Sequence, residues 1–214
     1  YDGSATAPTD VESYAITGTV NDVMYQGVRT GTLVVSKGTA GVYLQYLTHT
    51  YDGAAKSATA TTMPAGLTVE FTYDGSAAAP TNAGTYAATG TVNDANWQGS
   101  AAGSLVVARG QDVIVFGDTN QVYDGTGKTV TAVADSGSSV AVTYAGSATA
   151  PVNVGTYAVT GIVDAANWQA TNVATLTISK ADQVITNFLP VDGAQFVLGA
   201  ATTISAQASS GLAV

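Results

Sequence analysis

Residues 1–38 (YDGSATAPTDVESYAITGTVNDVMYQGVRTGTLVVSKG) and 73–110 (YDGSAAAPTNAGTYAATGTVNDANWQGSAAGSLVVARG) align without a gap, and 23 of the 38 positions are identical. A third copy, YAGSATAPVNVGTYAVTGIVDAANWQATNVATLTISKA, occupies 144–181, so the copies are spaced by 72 and then 71 residues. A fixed period of this length constrains a chain strongly, because one small unit must bury its apolar face within itself and against its neighbours. Between the copies lie segments of a second type, 39–72 and 111–143, which share Tyr-Asp-Gly at 51–53 and 123–125. The segment 182–214 keeps their opening (Gln183-Val184-Ile185) and their close (209–214), while its triplet has become Val191-Asp192-Gly193. The expected organisation is therefore the C-terminal half of a repeat at 1–38, complete repeats at 39–110 and 111–181, and the N-terminal half of a divergent repeat at 182–214.

Apolar residues recur at every second position within each copy. Tyr86, Ala88, Gly90 and Val92 alternate with Ala87, Thr89 and Thr91, and Tyr157, Val159, Gly161 and Val163 repeat the pattern. Leu67, Val69 and Phe71, Leu105 and Val107, and Leu176 and Ile178 alternate in the same way. Period 2 predicts strands with one buried face. No stretch has helical periodicity, apart from room for one turn at Asp94–Gln98. Five to six short strands in each repeat predict an all-β tandem array of small β-sandwich, Ig-like repeats. The alternative is a β-grasp-like repeat with a vestigial helix at the Asn-Trp-Gln turn. The joins Ser36–Thr39, Ala108–Gln111 and Ser179–Asp182 are too short for a flexible linker, which predicts a semi-rigid string of beads.

Charged residues make up 10% of the chain, and the net charge is −9 from 6 Lys+Arg against 15 Asp+Glu. Six scattered cations cannot neutralise a run of phosphates, which excludes nucleic acid as a partner and disfavours an anionic membrane surface. The absence of cysteine removes disulfides, thiol catalysis and Cys-ligated metal. No apolar run approaches the 18 or so residues of a membrane span, and no basic-then-apolar leader opens the sequence. The two half-repeats allow two readings: copies that complete one another by strand exchange, or a window of a longer polypeptide. The seven-residue spacing of Gly66–Tyr73 and Gly137–Tyr144 favours the second, since the strand after Gly211 would need residues beyond Val214.

The pattern Y-D-G-S-A-x-A-P-T-N-A-G-T-Y-A-x-T-G-T-V-N-D-x-N-W-Q-G, followed by L-V-V-x and a Lys or Arg, resembles the MBG/YDG-type repeats of large bacterial surface proteins and adhesins across 1–181. The resemblance implies a secreted, extracellular or cell-surface location and a role as stalk, adhesin or filament. It carries over no catalytic residue and no cofactor. The chain departs from the pattern at Ala145, where the triplet loses its Asp, and at Tyr25, where Trp is replaced.

Individual residues support a structural reading. Tyr51, Asp52 and Gly53, Tyr73, Asp74 and Gly75, and Tyr123, Asp124 and Gly125 are expected to anchor the repeat through tight turns. Asp bonds backbone two residues ahead, and Gly accepts positive φ. Trp97 and Trp168, one per repeat between strands, are expected as core anchors, with sugar stacking as the competing reading. Asn93, Asp94, Asn96 and Gln98 around Trp97 supply one carboxylate, too few for a Ca²⁺ cage. Lys37, Arg109 and Lys180 share a position at the end of the last strand and suit a solvated or junction-bridging cation. Lys56 and Lys128 also correspond, and an Asp52–Lys56 surface pair would contribute little. The lone His49 has no repeated Ser or acid beside it, so catalytic, cofactor-binding and metal residues are all expected to be none. The sequence predicts a structural or adhesive repeat module whose partners are neighbouring repeats of the same chain or identical chains in a fibre. The alternatives are a carbohydrate-binding module with a glycan partner and a non-catalytic segment of a larger secreted enzyme.

Overall fold

The computed structural model describes residues 1–189, 193–195, 198–199, 201 and 205–212, with strands and no helix among them. Two compact units form: Tyr1–Gln111 with Asp164–Gln169, and Asp112–Val163 with Ala170–Val214. Residues 191–192 of the divergent triplet and 213–214 at its close lie outside the described residues.

In the first unit the strands Thr48–Thr50, Ser100–Ala108, Gly84–Val92 and Val69–Tyr73 form one sheet in that order. Thr48–Thr50 runs parallel to Ser100–Ala108, with Thr48 opposite Val106, and the other pairs are antiparallel. A separate hairpin, Gly41–Gln45 with Thr59–Met63, faces this sheet. Its Leu44 side chain sits 3.0 Å from where a Cβ on Gly90 would lie, so the glycine makes room for the opposing layer. The predicted alternation is present: Ala88, Gly90, Val92, Leu105 and Val107 face the interior, and Ala87, Thr91 and Val106 face outward. Ala58, Tyr73, Ala88, Leu105 and Val107 make the core.

The second unit repeats the design. Asn120–Val122 lies parallel to Trp168–Ser179, followed by Gly155–Asp164 and Ala141–Tyr144, and the hairpin Ile114–Gly117 with Thr131–Ala134 is separate. Its core is Val130, Tyr144, Val159, Leu176 and Ile178, the counterparts of the five first-unit residues at the repeat spacing. Both core tyrosines tie the two halves of a repeat together. The Tyr73 hydroxyl accepts from the Ala58 amide at 2.9 Å, and that of Tyr144 accepts from Val130 at 3.0 Å. A buried N–H without such a partner would cost about 1–3 kcal/mol.

Residues 1–38 form a two-stranded hairpin, Ser13–Asn21 with Gln26–Val34. Ile16, Leu33 and Val35, which correspond to Ala88, Leu105 and Val107, are only half-buried there.

Candidate functional site

The Tyr-Asp-Gly triplet builds two different turns. In the first type, Asp74 (φ 48°) and Gly75 (φ 82°) are both left-handed, and Tyr73 and Ser76 exchange backbone hydrogen bonds of 2.7 and 2.9 Å. This is the mirror-image hairpin turn that Asp-Gly favours. The Asp74 carboxylate also accepts from the Ala87 amide at 2.8 Å, as Asp2 does from Ala15 at 2.7 Å. Ala145 keeps the left-handed backbone (φ 47°) without that side-chain bond.

In the second type only the glycines, Gly53 and Gly125, have positive φ. There Asp52 accepts from the Ala54 amide at 2.9 Å and pairs with Lys56 at 2.6 Å. Asp124 accepts from the Thr126 amide at 2.9 Å and hydroxyl at 2.6 Å, and pairs with Lys128 at 2.5 Å. The hydrogen bond from Lys128, then those from Thr126, hold the Asp124 carboxyl well below the usual carboxylate range. Lys56 and then Ala54 lower Asp52 in the same way. The lysine stems differ from the surface pair expected: their side chains are only 13% and 11% exposed, because the aliphatic chain packs inward while the carboxylate stays in water.

The two tryptophans differ from expectation. Both are half-buried and belong to neither core. The Trp97 ring covers Gly38, where an added Cβ would meet ring carbon Cζ3 at 2.7 Å. The Trp168 ring covers Gly110, with the same atom at 2.4 Å. Trp168 also meets the Tyr51 ring edge-on, with centroids 5.2 Å apart. Each aromatic therefore packs on the preceding repeat, and the glycine is the flat floor on which it rests.

The turn that carries each tryptophan is a joint. Around Trp97, Asp94 Oδ1 accepts from the amides of Asn96 (2.8 Å) and Trp97 (2.9 Å). That side-chain cap replaces the helical turn allowed for at Asp94–Gln98, because an Asp that bonds its own backbone competes with helix. Asn96 then accepts from the Val11 amide at 2.9 Å and donates to Asp10 at 3.1 Å. Asn167 does the same one repeat later, accepting from the Ala83 amide at 2.8 Å and donating to Asn82 Oδ1 at 3.0 Å. The receiving loops are held from behind by tyrosine hydroxyls: Tyr14 donates to Asp10 O, Tyr86 to Asn82 O.

Backbone pairing and a cation complete each joint. Gly38-Thr39 runs parallel to Trp97-Gln98, and Gly110-Gln111 to Trp168-Gln169. The Lys37 ammonium donates to Asp94 O at 2.6 Å. Arg109 donates to Ala165 O at 3.2 Å and forms an ion pair with Asp164. The junction-bridging reading of this position thus holds for two of its three members. Lys180 has no such partner among the described residues.

Among the described residues, no three of His, Cys, Asp and Glu converge. His49 Nε2 lies 2.8 Å from Tyr46 O. No described helix is long and apolar enough to cross a membrane.

The fold and the joint together define a class: a tandem array of all-β repeats in which the Trp turns of repeats 39–110 and 111–181 each seat on the repeat before. The family model for the MBG domain matches residues 1–39, 40–111 and 113–182, and the chain belongs to that family. No curated protein matches the sequence.

Proposed function

We propose that this chain is a non-catalytic structural module, a stretch of semi-rigid stalk or extracellular filament in a secreted bacterial surface protein. The observation that carries the reading is the recurrence of one joint. At both Gly38/Trp97 and Gly110/Trp168 the same residue positions supply a ring on glycine, an amide clamp and a bridging cation. Several weak contacts at each junction restrain adjoining repeats more than a short linker alone would, and a restrained array projects length. The low-charge, Thr-rich exterior suits that role, and an adhesive function of the array would be added by segments or ligands that bind it.

The test is small-angle scattering of the 214-residue chain beside a variant with Asn96→Ala and Asn167→Ala. The stalk reading expects an unchanged melting transition with a measurably broader distribution of maximum dimensions in the variant. Identical scattering from both proteins would refute it.

A further inference from the structure

Repeats 39–110 and 111–181 are each closed by the same pairing, that of an early strand with the last. Thr48–Thr50 lies parallel to Val106–Ala108, and Asn120–Val122 to Thr177–Ser179. The Val106 amide donates to Leu47 O at 2.8 Å, and the Tyr51 amide to Ala108 O at 2.8 Å. One repeat later Thr177 donates to Thr119 O at 2.8 Å, and Tyr123 to Ser179 O at 2.9 Å. Each pair lies wholly within one compact unit.

The chain enters each pair in the same way. After the hairpin strand Gly41–Gln45, Tyr46 (φ 54°) turns the backbone into the main sheet, and after Ile114–Gly117 the turning residue is Asp118 (φ 55°). Its carbonyl is held by a side chain of the strand it leads into. His49 Nε2 meets Tyr46 O at 2.8 Å, and Gln121 Nε2 donates to Asp118 O at 2.8 Å. Since a carbonyl only accepts, His49 donates here from Nε2. His49 and Gln121 correspond at the repeat spacing, so the lone histidine does with a ring what its counterpart does with an amide.

Tension along the array pulls the early strand toward its own N-terminus and the last strand toward its C-terminus. Because the two run parallel, those pulls oppose each other along one axis, and the strands part only by sliding. The bonds between them, evenly spaced along the pair, then carry the load together. An antiparallel pair held at adjacent ends would instead peel one bond at a time. The residues between Tyr51 and Val106, and between Tyr123 and Thr177, feel no tension until the pair parts. Resting on the stalk reading above, we infer that the array is a load-bearing tether. The Thr48–Thr50/Val106–Ala108 and Asn120–Val122/Thr177–Ser179 pairs set the tension that each repeat withstands. His49 and Gln121 are positioning residues: they hold the turning residue against the early strand, so that load reaches the pair along its axis.

Single-molecule force spectroscopy of the 214-residue chain, held by its two ends, tests this. At constant load, repeats 39–110 and 111–181 should each give an extension step of about 200 Å, from roughly 60 residues at ~3.3 Å apiece. Forced unfolding reads the unfolding rate, and the dependence of that rate on load gives the distance moved before the structure yields. A sliding pair yields within about 3 Å, over which its hydrogen bonds are lost. Peeling frees about 7 Å with each residue pair, twice the rise of a strand. His49→Ala with Gln121→Ala should shorten the loaded lifetime about threefold or more, as for one lost hydrogen bond in each repeat, with circular dichroism unchanged. Tyr73→Phe with Tyr144→Phe should leave that lifetime within about twofold while lowering equilibrium stability, because the core is still whole when the pair lets go. Repeats that yield over about 7 Å or more overturn the tether. So does a loaded lifetime that falls with the tyrosine hydroxyls and ignores His49 and Gln121. Scattering decides the stalk reading separately: restrained repeats that yield by peeling would leave the stalk standing, and freely jointed repeats that yield by sliding would sink the stalk alone.

Discussion

Asn167 and Asn82 are joined amide to amide, Nδ2 to Oδ1 at 3.0 Å, while Asn167 Oδ1 takes the backbone amide of Ala83. One side chain thus holds a loop at both a side-chain and a main-chain point, 85 and 84 residues away in sequence. Asn167→Ala should leave the cores intact and free the Ala83 amide. We expect its hydrogen exchange to quicken by about fivefold, the equivalent of one hydrogen bond worth ~1 kcal/mol. Unchanged protection at Ala83, measured residue by residue, would mean that the clamp is not formed in solution.

Tyr73→Phe and Tyr144→Phe remove only a hydroxyl, yet each strands a buried backbone amide, that of Ala58 or Val130. Each should destabilise its own repeat by about 1–3 kcal/mol. Urea unfolding followed by NMR at the two repeats separates the effects. A loss below a few tenths of a kcal/mol at the repeat concerned would contradict the tether.

Ala145 sits in the left-handed region at φ 47° without the side-chain bond that Asp74 and Asp2 make from the equivalent place. Ala145→Asp should gain a bond to the Ala158 amide and relieve an Ala that pays for a left-handed backbone. The expected gain is roughly 0.5–1.5 kcal/mol, from one hydrogen bond and the better tolerance of Asp for that conformation. The melting temperature is the readout, and a fall would count against the turn described.

The acidic side of the stability profile follows from Asp124 and Asp52, whose carboxyls Lys128 and Lys56 hold below the ordinary range. A carboxyl depressed on folding stabilises the fold at pH values above its unfolded value, about 3.9, and that contribution fades as pH falls through the folded value. Stability should therefore decline below about pH 4. Lys128→Met keeps an aliphatic stem in the same slot and should bring the Asp124 carboxyl up toward the ordinary range. The ¹³C titration of that carboxyl reports it directly, and an unmoved midpoint would show that Lys128 is not its partner.

Much of this architecture could be read in the residues. Ala88, Gly90 and Val92 face inward because a strand alternates its side chains, and the pattern in the letters is the pattern in space. The Asp-Gly turns were legible for the same local reason. Trp97 and Trp168 were not: an aromatic between two strands has the same signature whether it fills its own repeat or covers the one before. The signal that could have separated the two was Gly38 and Gly110, each just after the bridging cation. A glycine that follows a strand and recurs with a distant Trp marks a close approach, and its partner is found only when the chain is folded.

By itself, then, the sequence determined what depends on neighbours along the chain: the repeat, the strands and their buried faces, and the tight turns. Pairings between Asn167 and Asn82, Trp168 and Gly110, or Tyr73 and Ala58 were decided only by the tertiary structure. They join residues that are not neighbours along the chain, so no local pattern shows which meets which, and geometry alone brings their atoms within reach.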